Sequence, residues 1–351
     1  MLTAKENLRQ TIIDGGQPDR FVNNYEAVYL MFHPPIVHSG GLLAPGDMNV
    51  VNAWGVTNSF PVGTIGAFPV HTPDKIVVKD IEEWEKYVKA PSLDFPDAEW
   101  EMFAEQYEQV KASGKAYAAA FVAPGLFEQS HHLCSIDEAL VYYMTDPDRM
   151  ADLVKYLAEY ELRLAELICD KLHPDAMFHH DDWGSERNSF MRPEMFAEFF
   201  VEPYKEIYGY YHDHGCELIF HHNDSYSANL IPYMIEMGID VWQGTMESND
   251  VRALLEQYKG QIAFMGNIDN KDVDFKGWTV DDVKRVAREH TVGWGPTQGY
   301  IPCITQGGPG STVSGTYVEL VKAIDEMNTE LFGFTQEELE DARLDIQVMF
   351  G

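Results

Sequence analysis

Short apolar runs bounded by turn residues alternate with longer helix-patterned segments through much of the chain, and this alternation constrains the fold more than any other feature. The runs are Lys115–Val122, Ala176–His180, Glu217–His222, Asp240–Gln243, Gln261–Asn267 and Gly299–Thr305. Runs this short and this continuously apolar read as strands covered on both faces, which is the signature of a parallel sheet with crossover helices. The intervening helix patterns cover Asp137–Met144, Asp148–Asp170, Pro193–His212, Ser227–Met237, Asp250–Tyr258 and Val280–His290. A last one, Tyr317–Glu330, closes the ring. Several begin on Ser or Asp, or carry Pro at an early position, as helix starts do.

The first 110 residues are less regular. Ile81–Val88 and Ala98–Ser113 read as helices, while Phe32–Val70 is rich in Gly, Pro and Asn and reads as a long excursion. Loops of that length in a compact domain are usually functional or covering. The expectation is one domain spanning residues 1–351, with an irregular N-terminal extension of about 110 residues over the barrel mouth.

Charge narrows the function. The chain has 25 Lys and Arg against 57 Asp and Glu, a net charge of −32. Such a surface repels phosphate backbones and anionic headgroups, so nucleic-acid and membrane-surface roles are disfavoured. A small uncharged substrate fits, as does a partner that brings its own basic face. Cys134, Cys169, Cys216 and Cys303 show no CxxC pairing, which suggests a reducing compartment. Met1–Asp14 has no long apolar run, and nothing approaches the roughly 20 apolar residues of a membrane span. A cytoplasmic protein is expected.

In a parallel barrel, residues at the carboxyl ends of the strands surround the active site. Here those positions are polar. His179, His180, Asp181, Asp182 and Glu186 follow one run; His221, His222, Asn223 and Asp224 follow the next. Gln243, Asn267, Asp269, Cys303 and Gln306 follow later ones. Side chains alternate on a strand, so one His of each pair faces the axis. A lone histidine there is more often a hydrogen-bonded structural residue than a ligand. His222 and Asp224, however, put nitrogen and oxygen donors two residues apart beside further carboxylates, a set that can hold a divalent metal with an open position.

Several stretches resemble the uroporphyrinogen decarboxylase-like superfamily. They are Asp181-Asp182-Trp183-Gly184, Met191–Phe196 with Glu202-Pro203, Leu218–Asp224, Met237–Asp240, Gly266–Asp269 and Gly299–Ile301, with Trp54–Val56 and Asp80–Pro91 towards the N-terminus. Together they run over nearly the whole chain. The resemblance implies a (β/α)8 TIM barrel of the uroporphyrinogen decarboxylase-like type.

Two chemistries occur in that superfamily. The decarboxylases carry an N-terminal arginine-rich motif, but Asp19–Pro34 holds a single arginine, Arg20, which cannot neutralise an octacarboxylate. The other branch resembles cobalamin-dependent methyltransferases, with zinc at a His-x-Cys pair and a later cysteine. His222 falls on that histidine, Asp224 on the first cysteine, and the later cysteine falls near Gln306-Gly307. Oxygen ligands leave zinc a harder Lewis acid than thiolates do, suited to polarising an ether oxygen.

The resemblance therefore implies an O-demethylase methyltransferase. It would move a methyl group from a methoxylated, aromatic small molecule to the cob(I)amide of a separate corrinoid protein, which carries the cobalamin. The expected zinc ligands are His222, Asp224 and Glu186, with Cys303 the alternative third donor. Glu186 reads equally well as a solvated carboxylate at a helix start. Asp182 is expected to bind substrate or orient the reacting oxygen, and reads equally well as a loop cap. His180 is expected to protonate the leaving oxygen. Trp183, Tyr226 and Asn267 are the expected substrate contacts, with Tyr25 and Tyr29 as further aromatic candidates. The rivals are a methylcobamide:thiol methyltransferase of the coenzyme M type, a uroporphyrinogen decarboxylase-like lyase, and a non-catalytic barrel that binds a tetrapyrrole or a corrinoid protein.

Overall fold

The computed structural model describes residues 1–344 apart from 292–295, 297, 313 and 314. Its centre is one parallel sheet of seven strands: β1 (Val28–Met31), β2 (Tyr117–Val122), β3 (Ala176–His180), β4 (Leu218–His222), β5 (Val241–Thr245), β6 (Ala263–Ile268) and β7 (Tyr300–Ile304). Each pairs with its neighbours in chain order. The crossovers carry α1 (Asp97–Ser113), α2 (Leu126–Cys134), α3 (Pro147–Leu172), α4 (Pro193–Asp213), α5 (Ile231–Met237), α6 (Val251–Gln257) and α7 (Val280–Glu289), and α8 (Thr316–Phe332) follows β7. This is a TIM-barrel-type α/β fold.

Among the described residues seven strands are paired where eight were expected. The two outer strands are bridged by one residue rather than by a ladder: Asn24 donates its backbone N–H to the Pro302 carbonyl, and its side-chain oxygen accepts from the Ile304 N–H. Pro302 has no N–H to contribute to a ladder, so it suits an outer strand. β1 was not foreseen because it is four residues long and is preceded by buried Asn23, Asn24 and Glu26 rather than by an apolar run.

Strand alternation divides the core in two. Ala119, Phe178, Phe220, Val241 and Met265 belong to one apolar cluster, and Ala118, Met177, Ile219, Trp242 and Phe264 to the other, which packs on the helices. Phe178 and Phe220 stack at 6.3 Å between centroids and form a floor. One residue pair further on, with the same parity, come His180 and His222. Pro147 and Pro193 occupy the first turns of α3 and α4, where a missing N–H costs nothing.

The N-terminal excursion has structure of its own. It contains a short helix, Pro34–Val37, and a three-stranded antiparallel sheet of Val50–Val51, Thr57–Ser59 and Phe68–Pro69. Ile81–Lys86 is a 3-10 helix rather than an α-helix, interrupted at Glu83. No helix among the described residues is long and apolar enough to cross a membrane.

Candidate functional site

β3 and β4 run in register, with His179 opposite His221 and His180 opposite His222. Their outward members hold the strand ends in place. His221 Nε2 bonds the Asp181 carbonyl at 3.1 Å, so it carries the proton, and its Nδ1 must accept from the Tyr208 hydroxyl at 2.9 Å. Tyr208 oxygen in turn accepts from His179 Nδ1 at 2.7 Å. His179 Nε2 lies 3.2 Å from Glu161. Asp181, His221, Tyr208 and His179 are all buried, where an unmade hydrogen bond costs about 1–3 kcal/mol, and their linked hydrogen bonds fix the β3 and β4 termini from behind.

Asp181 connects this support to α2. Its carboxylate accepts the backbone N–H of Phe127 at 3.1 Å and of Glu128 at 2.7 Å, the Trp183 indole at 2.8 Å, and the Tyr204 hydroxyl. Burial and the nearby Glu128 push its carboxyl up to about 7, against the pull of those donors. The first turn of α2 is thereby held against the end of β3. Gly125, just before α2, permits the approach: a Cβ there would lie 2.6 Å from Asp181 Cβ and 2.7 Å from Tyr204 Oη.

The inward members form the site. The rings of His180 and His222 stack at 4.4 Å between centroids. His180 Nδ1 donates to Glu128 Oε2 at 2.8 Å, and His222 Nδ1 bonds Gln243 Oε1. Both histidines are thus tied at Nδ1, which leaves Nε2 as the free edge. Asp182 Oδ1 lies 3.9 Å from His222 Nε2 and accepts the Asp224 N–H at 2.9 Å. Donor atoms of His180, Asp182 and His222 all fall within 4.8 Å of one another, a spacing one cation can bridge.

The electrostatics follow from burial and from the acidic neighbours. Burial pulls His222 down to about 4, helped by the charge of His180, so its Nε2 lone pair is available at neutral pH. Burial would lower His180 as well, but Glu128 and Asp182 overcome it and push the imidazole up to about 10. Burial raises Glu128 despite His180. Asp224 is held well above the usual carboxylate range by burial and then by Asp182.

These groups open into a cavity of about 970 Å³. Its lining includes Glu128, His180, Asp182, His222 and Asp224 at one end, and His33, Trp54, Phe60, Phe68 and Phe95 from the N-terminal part. Among the described residues four carboxylates line it (Glu128, Glu161, Asp182, Asp224), and no Lys or Arg does.

Several expected site residues lie elsewhere. Glu186 is 54% exposed and pairs with Lys271 at 2.6 Å, outside the cavity lining and the His180–Asp182–His222 cluster. Trp183 is buried against His221, with rings 4.0 Å apart, so it supports the site from behind. Asn267 follows Gly266, and both have positive φ, which breaks the alternation of β6; its amide contacts His290 at 3.2 Å. Tyr226 and Tyr29 do not line the cavity, and Tyr25 is buried against Phe178. Cys303 is fully buried, and burial raises its thiol well above the usual range. Arg20 is fully buried and paired with Asp19 at 2.8 Å, so it clamps nothing in the cavity. The sequence reading missed Glu128. Its only signal was a carboxylate in the first turn after Ala123-Pro124-Gly125, and its importance depends on Asp181 drawing that turn inwards.

Comparison with known proteins gives the lineage. A family model described as "Uroporphyrinogen decarboxylase (URO-D)" matches residues 50–327. Among solved structures, the chain is similar to a "methyltransferase from Methanosarcina mazei", with 14% identity over 93% of this chain and 99% of that one, at a TM-score of 0.60. It is also matched to a D-psicose 3-epimerase, 11% identical over 70% of this chain and 85% of that one, at a TM-score of 0.29, too low to carry weight. No curated protein matches by sequence. With a family model spanning most of its length and the shared barrel, the chain belongs to the uroporphyrinogen decarboxylase (URO-D) family.

Proposed function

We propose that this chain is a zinc-dependent methyltransferase that removes the methyl group of an uncharged methoxylated compound, aromatic in kind, and passes it to the cob(I)amide of a separate corrinoid protein. One observation carries the reading: two imidazoles tied at Nδ1, with Asp182 3.9 Å from the free Nε2 of His222 and donor atoms of all three within 4.8 Å of one another, in a cavity that has aromatic walls and, among the described residues, no Lys or Arg. An octacarboxylate tetrapyrrole would meet four carboxylates there and no Lys or Arg to clamp it, which argues against decarboxylation of such a substrate. A thiol-directed methyltransferase would be expected to use cysteine ligands, and no cysteine lines the cavity.

His180, Asp182 and His222 would hold the ion, in place of the set His222, Asp224 and Glu186 suggested by the sequence. Two nitrogens and one oxygen with an open position are a catalytic zinc set, and the hydrogen bonds at both Nδ1 atoms are the outer contacts that orient ligating histidines. When bound, zinc supplies a Lewis acid that polarises the ether oxygen of the donor. The remaining work falls to the protein. Gln243 holds His222 in the tautomer with Nε2 free. Glu128 does the same for His180, whose proton must leave before Nε2 can ligate. Asp224, whose carboxyl burial and Asp182 hold well above the usual carboxylate range, takes over from His180 the role of proton donor to the departing oxygen. Trp54 and Tyr160, edge to face at 4.9 Å, offer an apolar wall for a ring.

The test measures zinc per chain, and methyl transfer from an uncharged methoxyarene to cob(I)alamin by its absorbance change. Wild type should hold zinc and transfer. His222→Ala and Asp182→Ala should lose both while remaining folded by circular dichroism. A wild-type protein that takes up no zinc on reconstitution overturns the reading.

A further inference from the structure

α2 carries a second set of donors. Glu128, His131 and His132 stand at i, i+3 and i+4, one face of a helix, and their donor atoms all lie within 4.8 Å of one another. The two imidazoles meet edge to face at 4.8 Å between centroids. His131 Nδ1 is buried and has no hydrogen-bond partner. The His132 ring has none either among the described residues; its backbone carbonyl, by contrast, bonds His71 Nε2 at 3.1 Å. A buried polar nitrogen is nearly always paired, so the unpaired His131 Nδ1, beside a carboxylate and the His132 ring that lines the cavity, calls for a missing partner. His71 and Glu128 already have partners of their own and do not fill that role.

We infer that Glu128, His131 and His132 form a second divalent-metal site, distinct from the His180–Asp182–His222 cluster and adjoining it through Glu128. Two nitrogens and one oxygen are borderline donors, which suit zinc or cobalt(II) rather than calcium or magnesium. Glu128 also holds His180, so the two sites share one carboxylate. This inference does not depend on methyl transfer, and its test does not read activity.

The experiment titrates the full chain with cobalt(II), followed by its visible absorption, with zinc per chain by elemental analysis as a second measure. Wild type should take up two ions per chain. His222→Gln should retain one, and the double variant His131→Gln/His132→Gln should also retain one. A wild-type stoichiometry of one, lost in His222→Gln and kept in the double variant, overturns this site and leaves the cavity reading standing. A stoichiometry of one lost only in the double variant supports this site and overturns the cavity as a zinc centre. No uptake at all overturns both. Should the double variant fail to fold by circular dichroism, the single variants His131→Gln and His132→Gln are read in its place.

Discussion

Replacing Gln243 tests the proposed zinc centre without touching a ligand. Gln243 is fully buried, its Oε1 accepts from His222 Nδ1, and its Nε2 donates to the carbonyls of Ile304 at 3.3 Å and Thr305 at 3.4 Å. Leucine has a similar volume, so Gln243→Leu keeps the barrel filled while removing every one of these contacts. Two effects follow. The His222 Nδ1–H is left buried and unpaired, at a cost of about 1–3 kcal/mol in stability. Without an acceptor at Nδ1, the imidazole is also free to place its proton on Nε2 and turn away from Asp182. Outer contacts of this type are typically worth 10–100-fold in metal affinity, or about 1.4–2.7 kcal/mol. Gln243→Glu keeps an oxygen facing Nδ1 and should hold zinc far better than the leucine variant. The assay is competition with a chelator at neutral pH, with urea unfolding as the control for stability. If Gln243→Leu is folded and binds zinc as tightly as wild type, either His222 is not a ligand or Gln243 does not set its tautomer, and the argument fails.

Other outcomes follow from the same geometry. Glu186→Ala should leave zinc content unchanged and stability within about 0.5 kcal/mol, because an exposed pair with Lys271 contributes little; loss of zinc in that variant would restore Glu186 as a ligand. Gly125→Ala should cost about 1–3 kcal/mol or more in urea unfolding, since its Cβ would press on Asp181, His179 and Tyr204; an unchanged midpoint refutes that packing. His33 is buried and held at about 4 from its ordinary 6.5 by desolvation, with its Nε2 bonded to the Phe121 carbonyl. The native state therefore stays neutral while the unfolded chain takes up a proton below 6.5, so this part of the stability is present above 6.5 and lost as pH falls towards 4. It amounts to roughly 3 kcal/mol at most. His33→Gln lacks it, so the stability gap between variant and wild type should narrow on acidification; a gap independent of pH would show that His33 does not titrate this way.

The second half of the barrel was legible because each of its strands is a continuous apolar run, and burial on both faces leaves that mark in any sequence. β1 was not, because its short apolar stretch follows polar residues whose burial depends on distant partners, as when Asn23 bonds Asp325 and Asn24 closes the sheet onto β7. The pairing of His180 with His222 was half legible. Period-two alternation requires one member of each His-His pair to face inwards, and only the register between β3 and β4 decides that the two inward rings meet.

The reading went astray where chain distance substituted for space. Glu186 is four residues beyond Asp182 yet turns outwards to Lys271, whereas Glu128, more than fifty residues earlier, is brought to His180 by the grip of Asp181 on α2. Trp183 looked available in sequence and is consumed in packing on His221. By itself the sequence determined the fold class, the strand ends that carry polar chemistry and the surplus of negative charge, since these are properties of pattern and composition. Only the tertiary structure decided which donors converge and which way each imidazole presents its free nitrogen. It also decided that, among the described residues, no Lys or Arg reaches the cavity, because these depend on register, burial and hydrogen-bond partners that residues distant in the chain supply.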